Sequence, residues 1–481
     1  MTLYSQTTRA VRWSVIDTLA RQGLQFVITI VLARILTPED FGMIAVLAIF
    51  IGLASIFIDG GFSAALIQRQ HTTKGEESTV FFFNLLMAGG ISLILVGGAP
   101  IIAKFFGHSD LRDITYAMAA YVFLNSFASI HIALLTRELD LKKIALINSL
   151  SVFVAGTTAI YLALHGLGVW SLVVQMILVS AISVVLLWIL HPWRPTPVFE
   201  ASSLRSLFRF GGYEMAANLT DVFSTNLNLA LIGKLYSVGD VGFYDRANKT
   251  QQIPINVMMS ISNRVVFSTF SRVASDKERL KRGMRKAQPM AMLMNVPVML
   301  GICILAGPLI ESLFGKQWIQ SIPILQVLAF AGLFWPLHLL NLNVLKAQGH
   351  ADLFFWITII KKTIAIVLTI ISSFYGVVAI AWAQVASSII GYFINAHYSR
   401  KLLQYGAGEQ LRDLVHVFLS SLPMVAVTWM VSFSLHTSAW PKLVIAGFSG
   451  FIVYALTCLL FCREELGELL ALMRGNSIKR A

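Results

Sequence analysis

The chain has 481 residues, 57% hydrophobic and 13% charged, with a formal net charge of +13 and a mean hydropathy of +0.74. A water-soluble domain carries about 25% charged residues, so water is not the main solvent of this fold. The basic excess is scattered over short segments instead of forming one basic domain, which argues against a nucleic-acid partner.

Only helices or closed barrels satisfy their backbone in lipid. The apolar runs are continuous and roughly 20 residues long, the length of a spanning helix, without the strict alternation of barrel strands. The expectation is an all-α polytopic membrane protein with about fourteen spans. The start, MTLYSQTTRAVRW, is polar and basic, unlike a cleaved signal peptide.

The first span, 11–33, carries Ser14, Asp17, Thr18, Arg21 and Gln25. This is helical spacing, so they form one polar stripe on an apolar rod. Asp17 and Arg21 are four apart and neutralise each other across one turn. The second span, 41–59, ends at Asp59 before Gly60 and Gly61, a carboxylate placed to cap or hinge a helix end. Spans follow at 79–99, 114–135, 144–165 and 168–190. HPWRPTPVFEASS, 191–203, then reads as a Pro-rich linker.

The seventh span, 207–232, repeats the polar stripe with Glu214, Asn218, Asp221, Thr225 and Asn228. The eighth, 250–271, carries Asn263 and Arg264 near its end. Between them, about 233–249, lies the longest outer loop. The stretch SRVASDKERLKRGMRKAQ, 271–288, is the richest basic segment. Further spans fall at 288–310, 322–344, 353–374, 377–398, 414–435 and 442–462. Lys361 and Lys362 sit inside the eleventh, where lysine either snorkels to the interface or meets a phosphate at the inner mouth. Placing the amino terminus inside and alternating sides keeps the basic segments inside, with both termini cytoplasmic. Six prolines (254, 289, 297, 308, 323 and 336) fall in or beside spans eight to ten, the region expected to bend.

The chain repeats itself. RILTPEDFG, 34–42, is echoed 200 residues on by KLYSVGDVG, 234–242, with Arg34/Lys234, Asp40/Asp240 and Gly42/Gly242 in register. LLTRELDLKKIALI, 134–147, and VLKAQGHADLFFWI, 344–357, occupy equivalent places later in each half. An even number of spans separates the copies. This predicts two six-helix lobes, 1–190 and 207–400, about an axis along the membrane normal. A linker at 191–206 joins them, and 401–481 adds two spans and a tail.

Ionisable groups at membrane depth face a partner or water. The stripes therefore predict a wet chamber and a transporter. Glu214 and Asp221 lack an obvious cation on their own helix. Carboxylates in such a site titrate upward and are coupling candidates for H⁺ or Na⁺, with Arg264 a partner. His131, His338 and His397 are isolated and read as packed or interfacial. Cys303, Cys458 and Cys462 lie in or beside apolar runs; the last two share a helix face, but a thiol pair without further ligands is a poor metal site. No H-E-x-x-H, G-x-S-x-G or P-loop is present. The reading is a non-enzyme without cofactor or metal, driven by a gradient or by substrate flux.

ARILTPEDFGMIAV (33–46), DGGFSAALIQR (59–69) and NLNVLKAQGHADLFFWITIIKK (341–362) resemble the lipopolysaccharide and exopolysaccharide flippases of the polysaccharide transporter family. That family belongs to the multidrug/oligosaccharidyl-lipid/polysaccharide (MOP) exporter superfamily, and the third segment is similar to its colanic-acid-exporter branch. The resemblance implies two lobes around a hydrophilic cavity lined by the first, second, seventh and eighth spans, alternating between inward-open and outward-open states. It implies transfer of undecaprenyl-pyrophosphate-linked oligosaccharide across the bacterial inner membrane, with membrane lipids and a polysaccharide polymerase complex as further partners. Arg21, Gln25, Asn218, Asn228 and Arg264 would then meet the substrate, and Arg21 its pyrophosphate. Asp17, Asp59, Glu214 and Asp221 would gate or couple, and Lys361 and Lys362 would meet headgroups at the cytoplasmic mouth. A multidrug antiporter of the same superfamily would need an acidic cavity with little cationic lining, against which Arg21 weighs. A membrane glycosyltransferase would need a large outer loop. A non-transporting scaffold of a polysaccharide assembly complex stays open at this level.

Overall fold

The computed structural model describes residues 21–69 and 72–473, apart from the side chains of 201–210, 213, 214, 217, 257, 258, 260–269, 351 and 469–473. Asp17 lies outside the described residues, as do the side chains of Glu214 and Arg264. The chain divides into two compact units, 1–242 and 243–481.

Every regular element among the described residues is helical. Eleven helices are long and apolar enough to cross a membrane, with Ser321–Ala347 counted as one. Exposed large side chains such as Leu93, Ile94, Ile101, Phe448 and Leu460 give these helices outward apolar faces, the opposite of a water-soluble surface. Three expected spans fall outside the eleven. The first lies partly in residues 1–20. The seventh and eighth form as 35-residue helices, but their polar stripes lower their hydropathy.

The amino-terminal unit opens with α1 (21–35). Thr37 then caps α2 (Pro38–Asp59): its hydroxyl accepts from Asp40 N while the Asp40 carboxylate accepts from Thr37 N at 2.8 Å. Each satisfies one orphan donor of the first turn. Gly60 and Gly61, both at positive φ, end α2 and start α3 (Phe62–Gln68). The other helices of this unit are α4 (Lys74–Phe106), α5 (Asp110–Arg137), α6 (Leu141–Leu164), α7 (Val169–Leu190) and α8 (Ala201–Leu235). α4 packs on α5, α5 and α6 pack on α7, and α2 packs on α8.

α9 (Val238–Arg272) begins twelve residues earlier than the hydropathy suggests, so the expected outer loop shrinks to a tight connection at Tyr236 and Ser237. Its first turn carries charged and amide residues that read as loop, yet Val241, Tyr244 and Ala247 are fully buried. Ser237 reproduces the Thr37 cap: Asp240 N donates to its hydroxyl at 3.0 Å.

The two echoed segments lie on each other. A Cβ on Gly42 would sit 1.8 Å from the Val238 carbonyl oxygen, and one on Gly242 would sit 1.9 Å from that of Pro38. The exchange i ↔ i+200 maps one contact onto the other, so the copies meet about a local two-fold. Glycine is required here because backbone touches backbone.

In the carboxyl-terminal unit, α10 (Lys277–Leu313) is the central rod. It packs on α11 (Ser321–Gly332), α15 (Ala407–Ser434) and α16 (Ala439–Phe461). Pro289, Pro297 and Pro308 lie inside it. The tenth span is broken at Leu333 and Phe334, and α12 (Trp335–Ala347) restarts with Pro336 in its first turn, where a missing N–H costs nothing. α13 (Ala351–Ser372) packs mainly on α14 (Val377–Leu403). A last helix, α17 (Arg463–Met473), was not anticipated.

Candidate functional site

The sequence stripe survives as an exposed face. On α8, Asn218, Asp221 and Thr225 are exposed and Asn228 is half-buried. Their spacing puts them on one side of the helix. On α1, Arg21 and Gln25 are exposed. Other long helices expose large apolar side chains, such as Leu93, Ile94 and Ile101 of α4 and Phe448 and Leu460 of α16. An exposed polar face on a membrane-length helix needs water, because carboxylate, guanidinium and amide groups are costly in hydrocarbon. α8 is seated by close helix contacts: a Cβ on Gly52 of α2 would meet Val222 at 2.9 Å, and one on Gly61 would meet the Gly211 carbonyl at 2.3 Å.

Asp59 is half-buried and accepts from the Ser63 hydroxyl. It borders a cavity of about 290 Å³ within the amino-terminal unit, lined also by Ser55, Tyr121, Asn125, Ser129 and Thr136. A second cavity of about 140 Å³ shares Tyr121, Asn125 and Ile132. The larger one is at the lower edge of small-ligand pockets. It suits water, an ion or a single polar group, and is too small for an oligosaccharide.

A buried ionic cluster ties α4, α5 and the segment after α7. Glu77, 8% exposed, accepts from Thr72 Oγ1 at 2.6 Å and from Trp193 Nε1 at 2.8 Å. Arg137 lies 3.6 Å from it and also donates to Thr72. Thr196 N donates to Ser78 Oγ at 2.9 Å, and Glu200 N to Thr79 Oγ1 at 2.9 Å. The Pro-rich segment is therefore strapped to the start of α4 rather than hanging free as a flexible linker. The sequence showed the residues but not their meeting, since the partners lie more than a hundred positions apart.

His131 is not isolated. Its Nδ1 is 2.9 Å from Nδ1 of His191, and Trp188 and Trp193 pack edge-on against its ring. Burial holds the His191 imidazole below the ordinary 6.5, Lys143 and Arg194 push the same way, and Glu138 opposes. A histidine kept neutral in the fold but free to protonate when unfolded removes stability as pH falls below 6.5. The melting temperature of the purified protein is expected to drop between about pH 7 and pH 5, and His191→Gln to flatten that drop. An unchanged slope in His191→Gln would refute the assignment.

In the carboxyl-terminal unit, Lys361 turns inward instead of snorkelling along lipid. Its Nζ lies 3.4 Å from Asn395 Oδ1, and Asn395 Nδ2 lies 3.1 Å from His338 Nδ1. His338 thus also has a polar partner, whereas His397 is exposed. Lys362 is half-buried. A deeper amide network went unread: Gln410 Nε2 donates to Asn341 Oδ1, and Asn341 Nδ2 to Gln410 Oε1, both at 3.1 Å, with Gln288 and Ser399 joining. Only its residue types, amides in apolar runs, could have signalled it.

The profile of the polysaccharide biosynthesis protein family matches residues 31–323. The chain is 28% identical over 486 residues to the succinoglycan biosynthesis transport protein ExoT of Rhizobium meliloti, covering 98% of this chain and 97% of that protein. It is 24% identical to the teichuronic acid biosynthesis protein TuaB of Bacillus subtilis, covering 89% of each. It is also 24% identical to the lipopolysaccharide biosynthesis protein WzxC of Escherichia coli, covering 89% of this chain and 88% of the relative. Among solved structures, the lipid II flippase MurJ in an inward closed conformation superposes with a TM-score of 0.78 at 16% identity, covering 95% of this chain and all of that one. An inward-facing MATE multidrug transporter of the MOP superfamily gives 0.64 at 15% identity, covering 82% and 98%. At these identities the structural likenesses establish the fold: an all-α polytopic membrane protein of the MOP type.

Proposed function

This chain belongs to the polysaccharide biosynthesis protein family, and from that premise we propose that it flips lipid-linked oligosaccharide across a bacterial inner membrane. The carrier is a polyprenyl pyrophosphate such as undecaprenyl pyrophosphate, and both termini are cytoplasmic. The observation that carries the reading is the exposed polar face on α1 and α8, Arg21, Gln25, Asn218 and Asp221, on helices long enough to span a membrane. An oligosaccharide needs such a face, while its polyprenyl tail stays in lipid. The named relatives act in polysaccharide biosynthesis or transport, which supports a transporter without catalytic chemistry.

In this reading Arg21 meets the pyrophosphate, because a guanidinium matches phosphate oxygens in a planar fork. Gln25, Asn218 and Asn228 meet sugar hydroxyls, and Arg264 is assigned a substrate-binding role with them. Asp221 and Asp59, with Asp17 and Glu214, take up or release the coupling ion, H⁺ or Na⁺. Lys361 and Lys362 act on headgroups from the second lobe. The lobes, 1–190 and 207–400, alternate access. A polysaccharide polymerase complex would take the product.

The test is transfer of a labelled polyprenyl-pyrophosphate oligosaccharide in proteoliposomes holding only this protein. Leaflet exchange above empty liposomes is expected. Arg21→Ala should insert normally yet lose at least about tenfold in rate, the equivalent of one charge-assisted contact. Equal exchange with and without protein, across several glycans and ion gradients, would defeat the flippase reading. A fully active Arg21→Ala would remove Arg21 from the substrate site alone.

A further inference from the structure

Cys462 meets in three dimensions the co-ligands that sequence does not place beside it. α16 ends at Phe461, and Cys462 caps it, fully buried. α15 brings His416 alongside, and the first turn of α17 brings Glu465. The His416 Nε2, Cys462 Sγ and Glu465 carboxylate atoms all lie within 4.8 Å of one another. His416 Nε2 is 2.9 Å from Glu465 Oε1, yet it is buried and makes no hydrogen bond. The carboxylate therefore stands beside the ring nitrogen without lying along its N–H direction. Two ligands of one tetrahedral cation stand in that relation, at roughly 3.3 Å for bonds of 2.0–2.1 Å. The Cys462 thiol also lies 3.6 Å from Ser420 Oγ.

We infer that His416, Cys462 and Glu465 form a binding site for one borderline-soft transition-metal cation of the Zn²⁺ class. The donor set decides the class. Thiolate and imidazole reject Ca²⁺ and Mg²⁺, which take oxygen ligands, and suit tetrahedral Zn²⁺ or Co²⁺. The site offers three protein ligands, with water in the fourth position. It would lock α17 onto the ends of α15 and α16. Without it, α17 is held there by Leu466 packing on the core and by the Lys286–Glu468 pair at 2.5 Å.

The experiment uses the untagged full chain in detergent, stripped with a chelator and titrated with Co²⁺. The expected result is about one equivalent bound, with tetrahedral d–d bands in the visible and a thiolate-to-cobalt charge-transfer band in the near ultraviolet. Glu465→Gln, a near-isosteric change on a half-buried helix turn, should weaken binding at least tenfold. Cys462→Ser should abolish the charge-transfer band, and Cys458→Ser should retain it. Zn²⁺ should displace Co²⁺ and raise the melting temperature of the wild-type chain but not of Glu465→Gln. Absence of the charge-transfer band in the wild-type chain, its survival in Cys462→Ser, or equal affinity in Glu465→Gln would each overturn the site.

Discussion

Gly42→Val is expected to leave almost no folded protein in the membrane, and Gly242→Val to do the same. The first carbon of any side chain at Gly42 would lie 1.8 Å from the Val238 carbonyl oxygen, and at Gly242 1.9 Å from that of Pro38. Both obstacles are backbone atoms in the opening turns of α9 and α2, so no rotamer change relieves them. The two helix starts must part by more than an ångström. That separation breaks the reciprocal caps of Thr37 with Asp40 and Ser237 with Asp240, which share the same turns. Overpacking a core costs about 1–3 kcal/mol when side chains can adjust; here they cannot, so the cost lies above that range. Gly90→Val and Gly97→Val are the controls, since nothing lies within 4 Å of a Cβ at either position. Fluorescence-detected size exclusion of tagged variants measures the outcome. A monodisperse Gly42→Val at wild-type level would mean that the contact between the repeats is looser than the geometry requires.

This contact also shows why some of the fold was legible and some was not. The echo at 34–42 and 234–242 could be read because its chemistry is local. A hydroxyl residue three positions before an aspartate caps a helix, and a glycine two positions later permits close approach. The stripes on α1 and α8 were readable for the same reason, as helical spacing alone places Asn218, Asp221 and Thr225 on one face. The early start of α9 was hidden because hydropathy counts Asp245, Arg246 and Lys249 as wet. In the structure Lys249 neutralises Asp245 at 2.8 Å, and Arg246 lies over the Phe314 and Trp318 rings. His131, Lys361 and Cys462 meet partners that the sequence does not reveal, for one shared cause. Each has partners from other helices, His191, Asn395 and His416, and sequence spacing does not report which helix a side chain turns toward.

Arg137→Ala is expected to destabilise the amino-terminal unit by about 3 kcal/mol, the lower end of the range for breaking a buried pair, because Arg137 keeps 24% side-chain exposure. The loss comes from what remains. Glu77 would keep the Thr72 and Trp193 donors but lose its cation, leaving a nearly buried charge with two neutral hydrogen bonds. Glu77→Gln removes that charge, so the double variant should be less destabilised than the sum of the single ones, with a coupling of about 1 kcal/mol or more. Arg112→Ala is the matched control: its pair with Asp113 is 55% and 54% exposed, and water screens exposed pairs so that they contribute little. Unfolding in detergent across this cycle measures all four. Additive losses would show that Arg137 acts by packing alone. Coupled losses would tie the cluster to transport, because Thr136, its neighbour on α5, lines the Asp59 cavity, and the strap from His191 to Glu200 leads directly into α8, which presents the polar face. Loosening Glu77 is then expected to slow flipping in Arg137→Ala even at temperatures where the protein remains folded, through misplacement of α8 and not through loss of a substrate contact.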